Sequence, residues 1–333
     1  RLRTRQPNYS ARLHRESPPA YRLRAAAALA RGAVSPALYN DEVIVPLLES
    51  RGMSKEDARD YANVGCVEPV SAGRSFLSTD AALFNLPMCL ELALNRGRRF
   101  GRWKRIGAAS PAADRYRSMD ELLESFRAQV EAAVGRLLFD IAALERMNAK
   151  WNPTPLTSML VQGCIAKGRD ASAGGAIYNG SGLQGVGVVE VGDSLAAIDW
   201  VVFQQRKATL AEVVQACRAG FRGHEALRAR LRNAPKYGND HPLPDGYVGR
   251  AMEIFQTCFA GKRNTRGGEY VAGFYSVTAH VAFGQKVGAL PSGRMAKEPF
   301  SSGISATNGM DRLGPTAVMR SAATLPLHLA HNG

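Results

Sequence analysis

The chain has 333 residues, 45% of them hydrophobic and 22% charged. This is enough for one large core or two smaller ones, and too apolar for a disordered chain. The formal charge of +14 admits a polyanionic partner, but the basic clusters (Arg1-Arg3-Arg5, Arg96 to Arg105, Arg228-Arg230-Arg232) show no zinc-finger or basic-zipper spacing, so a solvated surface is the plainer reading and nucleic acid is not expected. No stretch is long and apolar enough to cross a bilayer, and the Arg-rich start lacks the apolar core of a secretory signal. Five widely spaced cysteines fit a reducing, cytoplasmic setting better than a disulfide framework or a Cys-x-x-Cys metal site.

In chain order, residues 1–19 read as irregular chain. A helix is expected from Pro19 to Arg31, ending at Gly32. Further helices are expected over Asp41–Leu48, despite Pro46, and over Ser54–Tyr61 with Ser54 as cap. Ala62–Val67 reads as a strand, and Asp80–Asn95 as a helix, with Leu83, Leu86, Leu90 and Leu94 at helical spacing. Ser118–Asn148 is the clearest element: Ser118 and Glu121 suit a capping box, and Leu122, Phe126, Val130, Val134, Leu137, Ile141 and Leu144 share one apolar face. Leu156–Lys167 reads as a short helix carrying Cys164.

The stretch 174–187, GGAIYNGSGLQGVG, reads as a loop. It has neither a Walker lysine nor a clean strand ahead of a phosphate fingerprint, so its glycines serve close backbone approach. Helices follow over Asp193–Arg206, from a Thr209/Glu212 capping box, over Glu225–Asn233 and over Asp245–Lys262. Alternation from Val271 to Phe283 predicts a strand, and Leu290–Ala317 reads as loop. Long helices between sparse strands favour an α/β fold with a barrel or large wound sheet, as one domain. The expected divisions are a helical lead-in (1–61), a cysteine loop (62–80), a mainly helical part (81–270) and a region of strand and long loops (271–333).

Residues 65–69 read Gly-Cys-Val-Glu-Pro. In extended chain, residues i and i+2 point the same way, so Cys66 and Glu68 could share a pocket, one offering sulfur and the other proton transfer. Taken alone, Cys-x-Glu reads more simply as an inert thiol beside a solvated carboxylate.

Several blocks together carry a resemblance: QPNYSARLH, LYNDEVIVPLLESRGMSKEDARDYANVGCVEP, STDAALFNLPMCLELALNRG, YNGSGLQGVGVVEVGDSLAAI, KYGNDHPLPD, and HVAFGQKVGALPSGRMAKEPFSSGISATNGMDRLGPTAVMRSAATL. In content and order they resemble the glycyl radical enzymes of the pyruvate formate-lyase superfamily. The Gly-Cys-Val-Glu-Pro form is similar to the dehydratase and eliminase branch, whereas pyruvate formate-lyase itself carries two adjacent cysteines where this chain has Gly65-Cys66. The resemblance leaves the decarboxylase and fumarate-adding branches open.

It implies a portion of a ten-stranded α/β barrel, with a helix-rich exterior and a central cysteine loop. It also implies a radical cysteine at Cys66, a base at Glu68, and Asp80 contacting substrate hydroxyls near the departing group. An N-cap is the competing reading of Asp80. Ser71, Arg74, Ser75 and Phe76 are candidate pocket residues. If Arg74 faced inward it would favour an acidic substrate; a surface arginine is its other reading. His280 is either a pocket wall or a core hydrogen-bonder, and Asn179 and Gln184 are expected to tie loops together.

No metal or other bound cofactor is expected; the implied group is a post-translational glycyl radical. The implied partners are a small-molecule substrate, a radical-SAM activating enzyme and a second copy of the complete chain. The family's glycine loop, of the form Arg-Val-Ala-Gly-Tyr, does not occur in these 333 residues. A fragment or a truncated homologue is therefore expected, holding no glycyl radical and turning over no substrate alone. A structural remnant and a polyanion-binding protein are the alternatives. Ser292 replaces the acidic residue of the family's Pro-Asp-Gly-Arg turn.

Overall fold

The computed structural model describes residues 9–32, 35–65 and 67–332. Ser10–Leu13 (β1) pairs in parallel with Ala37–Asn40 (β2). β1 falls where irregular chain was expected, because its pairing is made across the intervening helix and leaves no local signal. That helix, Pro19–Ala30 (α1), starts on proline and gives way at Gly32, whose φ of +77° suits glycine. Asp41–Ser50 (α2) is capped by the Asn40 side chain, with Asp41 and Glu42 in its first turn and Pro46 inside it. Ser54 caps the short helix Lys55–Arg59 (α3) through the Asp57 N–H.

Tyr61–Val64 (β3) and Glu68–Ser71 (β4) form an antiparallel hairpin whose connection contains position 66, which lies outside the described residues. The hairpin base is fixed by Arg12, which holds the Asp41 carboxylate, donates to the Tyr61 and Arg59 carbonyls, and stacks 3.9 Å from the Tyr61 ring centroid.

Ser75–Asn85 (β5) is a long strand leading directly into Leu86–Leu94 (α4). The expected helix over 80–95 is therefore half strand: Asn85, not Asp80, is the cap, accepting from the Met88 N–H. The leucine spacing fits a helix across the whole stretch, but β5 pairs with a distant strand, and that pairing wins. Met119–Trp151 (α5) follows the expected amphipathic pattern as far as Ile141, but Leu144, expected on the same face, is 63% exposed. Only half of its capping box forms, since Ser118 accepts from the Glu121 N–H while the Glu121 carboxylate takes the Arg117 N–H. The single helix expected over 156–167 is two, Pro155–Leu160 (α6) and Cys164–Lys167 (α7), split at Gly163 with φ +95°.

The supposed glycine loop is a buried strand, Tyr178–Val186 (β6), at the centre of a parallel sheet ordered β5-β6-β7. Val188–Ile198 (α8) follows at once, every residue buried, and continues as a π-helical turn, Asp199–Gln204. Leu210–Arg218 (α9) carries the full Thr209/Glu212 capping box, and Glu225–Asn233 (α10) and Pro242–Thr257 (α11) complete the second crossover. The last sheet strand is Glu269–Gly273 (β7); the alternating stretch after it instead forms a turn and a helix, Ala279–Gly284 (α12). The long irregular segment ends in Pro315–Ala323 (α13).

One large core lies between the sheet and α4, α5, α8 and α11. Phe255 is its hub, with ring centroids 5.2 Å from both Phe84 and Phe259 and 6.1 Å from Phe274. Each such pair adds about 0.5–1.5 kcal/mol beyond area burial.

Candidate active site

The site is built on an irregularity in β5. Ser78 pairs with Ser181 and Ala82 with Leu183, so Thr79, Asp80 and Ala81 stand opposite Gly182 alone. Such a bulge bends the strand and re-aims its side chains. Gly182 makes it possible: a Cβ there would lie 2.3 Å from the Thr79 carbonyl oxygen.

The bulge holds both candidate acids. The Thr79 hydroxyl donates to Glu68 Oε1 at 2.6 Å, and Gln184 Nε2 donates to Asp80 Oδ1 and to the Thr79 carbonyl, each at 3.0 Å. Gln184 is fully buried, and its Oε1 accepts from the Tyr275 N–H at 2.9 Å, so one side chain ties β5, β6 and the end of β7 together. Glu68 is half-buried and Asp80 exposed. The second Glu68 oxygen occupies the space beside Gly65, which has φ +60°; a Cβ at that residue would sit 2.6 Å from Glu68 Oε2.

The hairpin is also anchored from far down the chain. Buried His331 donates from Nε2 to the Pro69 carbonyl at 3.0 Å and from its backbone N–H to the Ala272 carbonyl at 2.7 Å. Burial lowers the His331 pKa from 6.5 to about 4. Beside it the buried Asn332 amide has neither side-chain atom hydrogen-bonded. A cavity of about 380 Å³ is lined by Val67, Pro69, His331 and Asn332 among others. Alternation along β4 turns Pro69 away from Glu68.

The remaining sequence candidates sit elsewhere. Arg74 ion-pairs with Asp57, whose other oxygen accepts from the Tyr178 hydroxyl at 2.6 Å. Ser75 accepts from the buried Ser71 N–H, and Phe76 lies 5.7 Å from the Arg266 guanidinium. His280 stands on α12, not on a strand, with Nδ1 3.1 Å from the Ser276 hydroxyl. Among the described residues no hydrogen bond or ion pair joins any of these five to Glu68 or Asp80. Asn179 donates only locally, to the Ala176 carbonyl.

The sequence reading left out Thr79, used Gly65 only as a mark of the branch, and gave Gly182 close backbone approach and Gln184 a loop-tying role, none of them a part in holding the acids. Val277, expected within a strand, instead has φ +50° just beyond Tyr275 and is 44% exposed. The Gly-x-Gly spacing of 180–182 was the one available signal, and it reads equally well as loop.

The family model described as pyruvate formate lyase-like matches residues 1–284. The chain belongs to this family. Among curated relatives, trans-4-hydroxy-L-proline dehydratase of Clostridioides difficile is 36% identical over 322 residues, which cover 96% of this chain and 41% of the relative. (2S)-3-sulfopropanediol dehydratase of Klebsiella oxytoca is 33% identical, over 99% and 41% of the two chains. The glycerol-bound B12-independent glycerol dehydratase from Clostridium butyricum superposes with a TM-score of 0.94 at 38% identity, over 98% of this chain and 42% of that one. A glycyl radical enzyme from Archaeoglobus fulgidus also gives 0.94, at 40% identity. The fold is thus a portion of the glycyl radical enzyme barrel, and the chain spans about two fifths of the length of these relatives. No helix among the described residues is long and apolar enough to cross a membrane.

Proposed function

We propose that this chain is the cysteine-bearing part of a radical lyase that dehydrates a small hydroxylated molecule. The observation that carries the reading is the bulge at 79–81, which secures Glu68 through Thr79 and Asp80 through Gln184. Two carboxylates held by separate neutral donors on one strand irregularity suit two separable tasks.

In glycyl radical chemistry the radical-bearing glycine, formed by a radical-SAM activating enzyme, supplies the hydrogen acceptor that converts a cysteine thiol to a thiyl. Cys66 then takes a hydrogen atom from the hydroxyl-bearing carbon of the substrate. Glu68, whose Oε2 is free of the Thr79 bond, removes the proton of that carbon's hydroxyl. The resulting ketyl anion expels the neighbouring hydroxyl, which takes the proton just acquired by Glu68 and leaves as water, with Asp80 orienting the departing group by accepting from its hydroxyl. The carbonyl-bearing carbon radical takes its hydrogen atom back from Cys66, regenerating the thiyl. Arg74 has no part in this scheme, because its guanidinium is committed to Asp57, and an acidic substrate therefore gains no support from it.

The test is the complete polypeptide containing this chain, activated anaerobically and supplied with a panel of 1,2-diols and hydroxylated amino acids. Aldehyde or ketone product that disappears in Cys66→Ser, and falls at least about a hundredfold in Glu68→Gln with the glycyl radical signal intact, is expected. Full turnover in Glu68→Gln would overturn the assignment.

A further inference from the structure

A second polar cavity, of about 270 Å³, opens between α10 and the turn Leu290–Arg294. Arg228, Arg232, Lys236 and Arg294 line it, along with Ser292 and Asp193. The turn is clamped to the helix: Arg228 Nε donates to the Gly293 carbonyl at 3.0 Å. Gly293, at φ +89°, packs so closely that a Cβ would lie 2.9 Å from that of Arg232. Arg228 and Arg232, one helical turn apart, thereby present one face to the cavity.

Four cations line this cavity against two carboxylates, Asp193 and Glu298, which act across space on Lys236 and Arg294 respectively. Among the described residues no carboxylate lies within salt-bridge distance of any of the four cations, although eight ion pairs form elsewhere. Lys236 and Arg294 are each only 6% exposed. Lys236 spends two donors on the Leu231 and Ala234 carbonyls, leaving one. Arg294 gives its terminal nitrogens to the carbonyls of Gly284, Gly288 and Glu298, and its buried Nε has no partner.

The acids at hand are turned to neutral donors. Asp193 accepts from the Tyr237 N–H at 2.8 Å and the Thr307 hydroxyl at 3.2 Å, and Glu298 accepts from the Met295 N–H. Ser292 puts a hydroxyl, not a charge, at the tip of the turn, and its oxygen accepts from the Arg294 N–H at 3.4 Å. Cations held out of water with no carboxylate in salt-bridge reach are costly, and an anion bound among them lowers that cost.

We propose that this cavity binds a small oxyanion group, either free phosphate or the phosphate or sulfonate of a small molecule. Spare donors from Lys236, Arg294 and Ser292 would form its base, and Arg228 and Arg232 its walls. The proposal is independent of the radical chemistry, since none of these residues touches Glu68 or Asp80.

The test is titration calorimetry on the 333-residue chain in a chloride buffer, with inorganic phosphate, methanesulfonate and acetate in turn. Saturable binding of phosphate or methanesulfonate at about 10 mM or below is expected, weakened at least about tenfold in Arg228→Gln/Arg232→Gln. Ser292→Asp places a tethered carboxylate among the same cations. It should abolish binding while keeping or raising the thermal midpoint, a combination that mere misfolding does not produce. Phosphate stronger than methanesulfonate identifies a dianion site, and the reverse order a sulfonate site. No saturation by either, or binding unchanged in Ser292→Asp, overturns the proposal.

Discussion

Gly65 bears directly on what Glu68 can do. An alanine there meets only the end of a flexible side chain, Glu68 Oε2 at 2.6 Å, and must hold φ at +60°. The fold should lose about 1 kcal/mol, from backbone strain, while the carboxylate is driven out of its place. Gly65→Ala in the complete enzyme is therefore expected to cut turnover far more than its urea midpoint, and equal losses in both would count against this. The same geometry explains a sequence contrast. A second cysteine at this position, as the resemblance gives for pyruvate formate-lyase, would occupy the space the acid needs. A side chain at position 65 and the Glu68 carboxylate in its present place are thus alternatives at this hairpin.

His331 gives a pH dependence whose sign is fixed. Its pKa falls from 6.5 unfolded to about 4 folded, so the unfolded chain binds more protons between those values. The stability it contributes is complete above pH 6.5 and lost as pH drops toward 4, by up to about 3 kcal/mol. Glu190 acts oppositely: burial raises its pKa from 4.5 to about 7 even though Ser301 donates to its carboxylate. Its contribution is complete below pH 4.5 and lost as pH rises through 7. Urea midpoints from pH 4.5 to 7 should therefore fall more steeply toward acid in Glu190→Gln than in the parent, and less steeply in His331→Gln. Parallel profiles for all three would refute both assignments.

At the scale of elements, the helices were the legible part. Ser118, Thr209 and the spacing of Leu122, Phe126 and Val130 are local signals, and α5, α9 and α10 follow them. The sheet was not legible. β6 has glycine at 180, 182 and 185 because the Leu77 side chain, the Thr79 backbone and Leu86 stand where side chains would go. Close approach was read correctly from these glycines, but their place in a strand was not, since a strand stripped of side chains leaves no period of two. The expected strand over 271–283 coincides with the end of β7 and fails beyond Gly273 for the opposite reason: Tyr275, Val277, Ala279, Val281 and Phe283 alternate without being a strand. Of the site, Glu68 and Asp80 were nameable from the resemblance, but the Thr79, Gly182 and Gln184 scaffold depends on register, which no local pattern encodes.

Two glycine substitutions separate these effects. Gly182→Ala forces a Cβ to 2.3 Å from rigid backbone and should destabilise the chain by about 3 kcal/mol or more. Gly135→Ala, on the exposed face of α5 with nothing within 4 Å, should stabilise it by about 0.5–1 kcal/mol. Chemical denaturation measures both, and a mild Gly182→Ala would mean the bulge does not need glycine.

On the scale of the whole molecule, the outer face is unevenly covered. Phe139, Leu144, Met147 and Trp151 on α5, with Leu156, Met159, Leu160 and Ile165 on α6 and α7, are each more than half exposed. An apolar run of this size drives association in water. The 333-residue chain is expected to self-associate at micromolar concentration in sedimentation velocity, and Leu156→Glu/Leu160→Glu to reduce this. A monomer at every concentration would show that the run is inert.

The bond from His331 to Pro69 spans 262 positions of sequence. A ribosome must therefore deliver nearly all of this chain before the cysteine hairpin is pinned. The turn between β3 and β4 is thus among the last parts of the chain to be fixed, after the sheet and helices that surround it have been made.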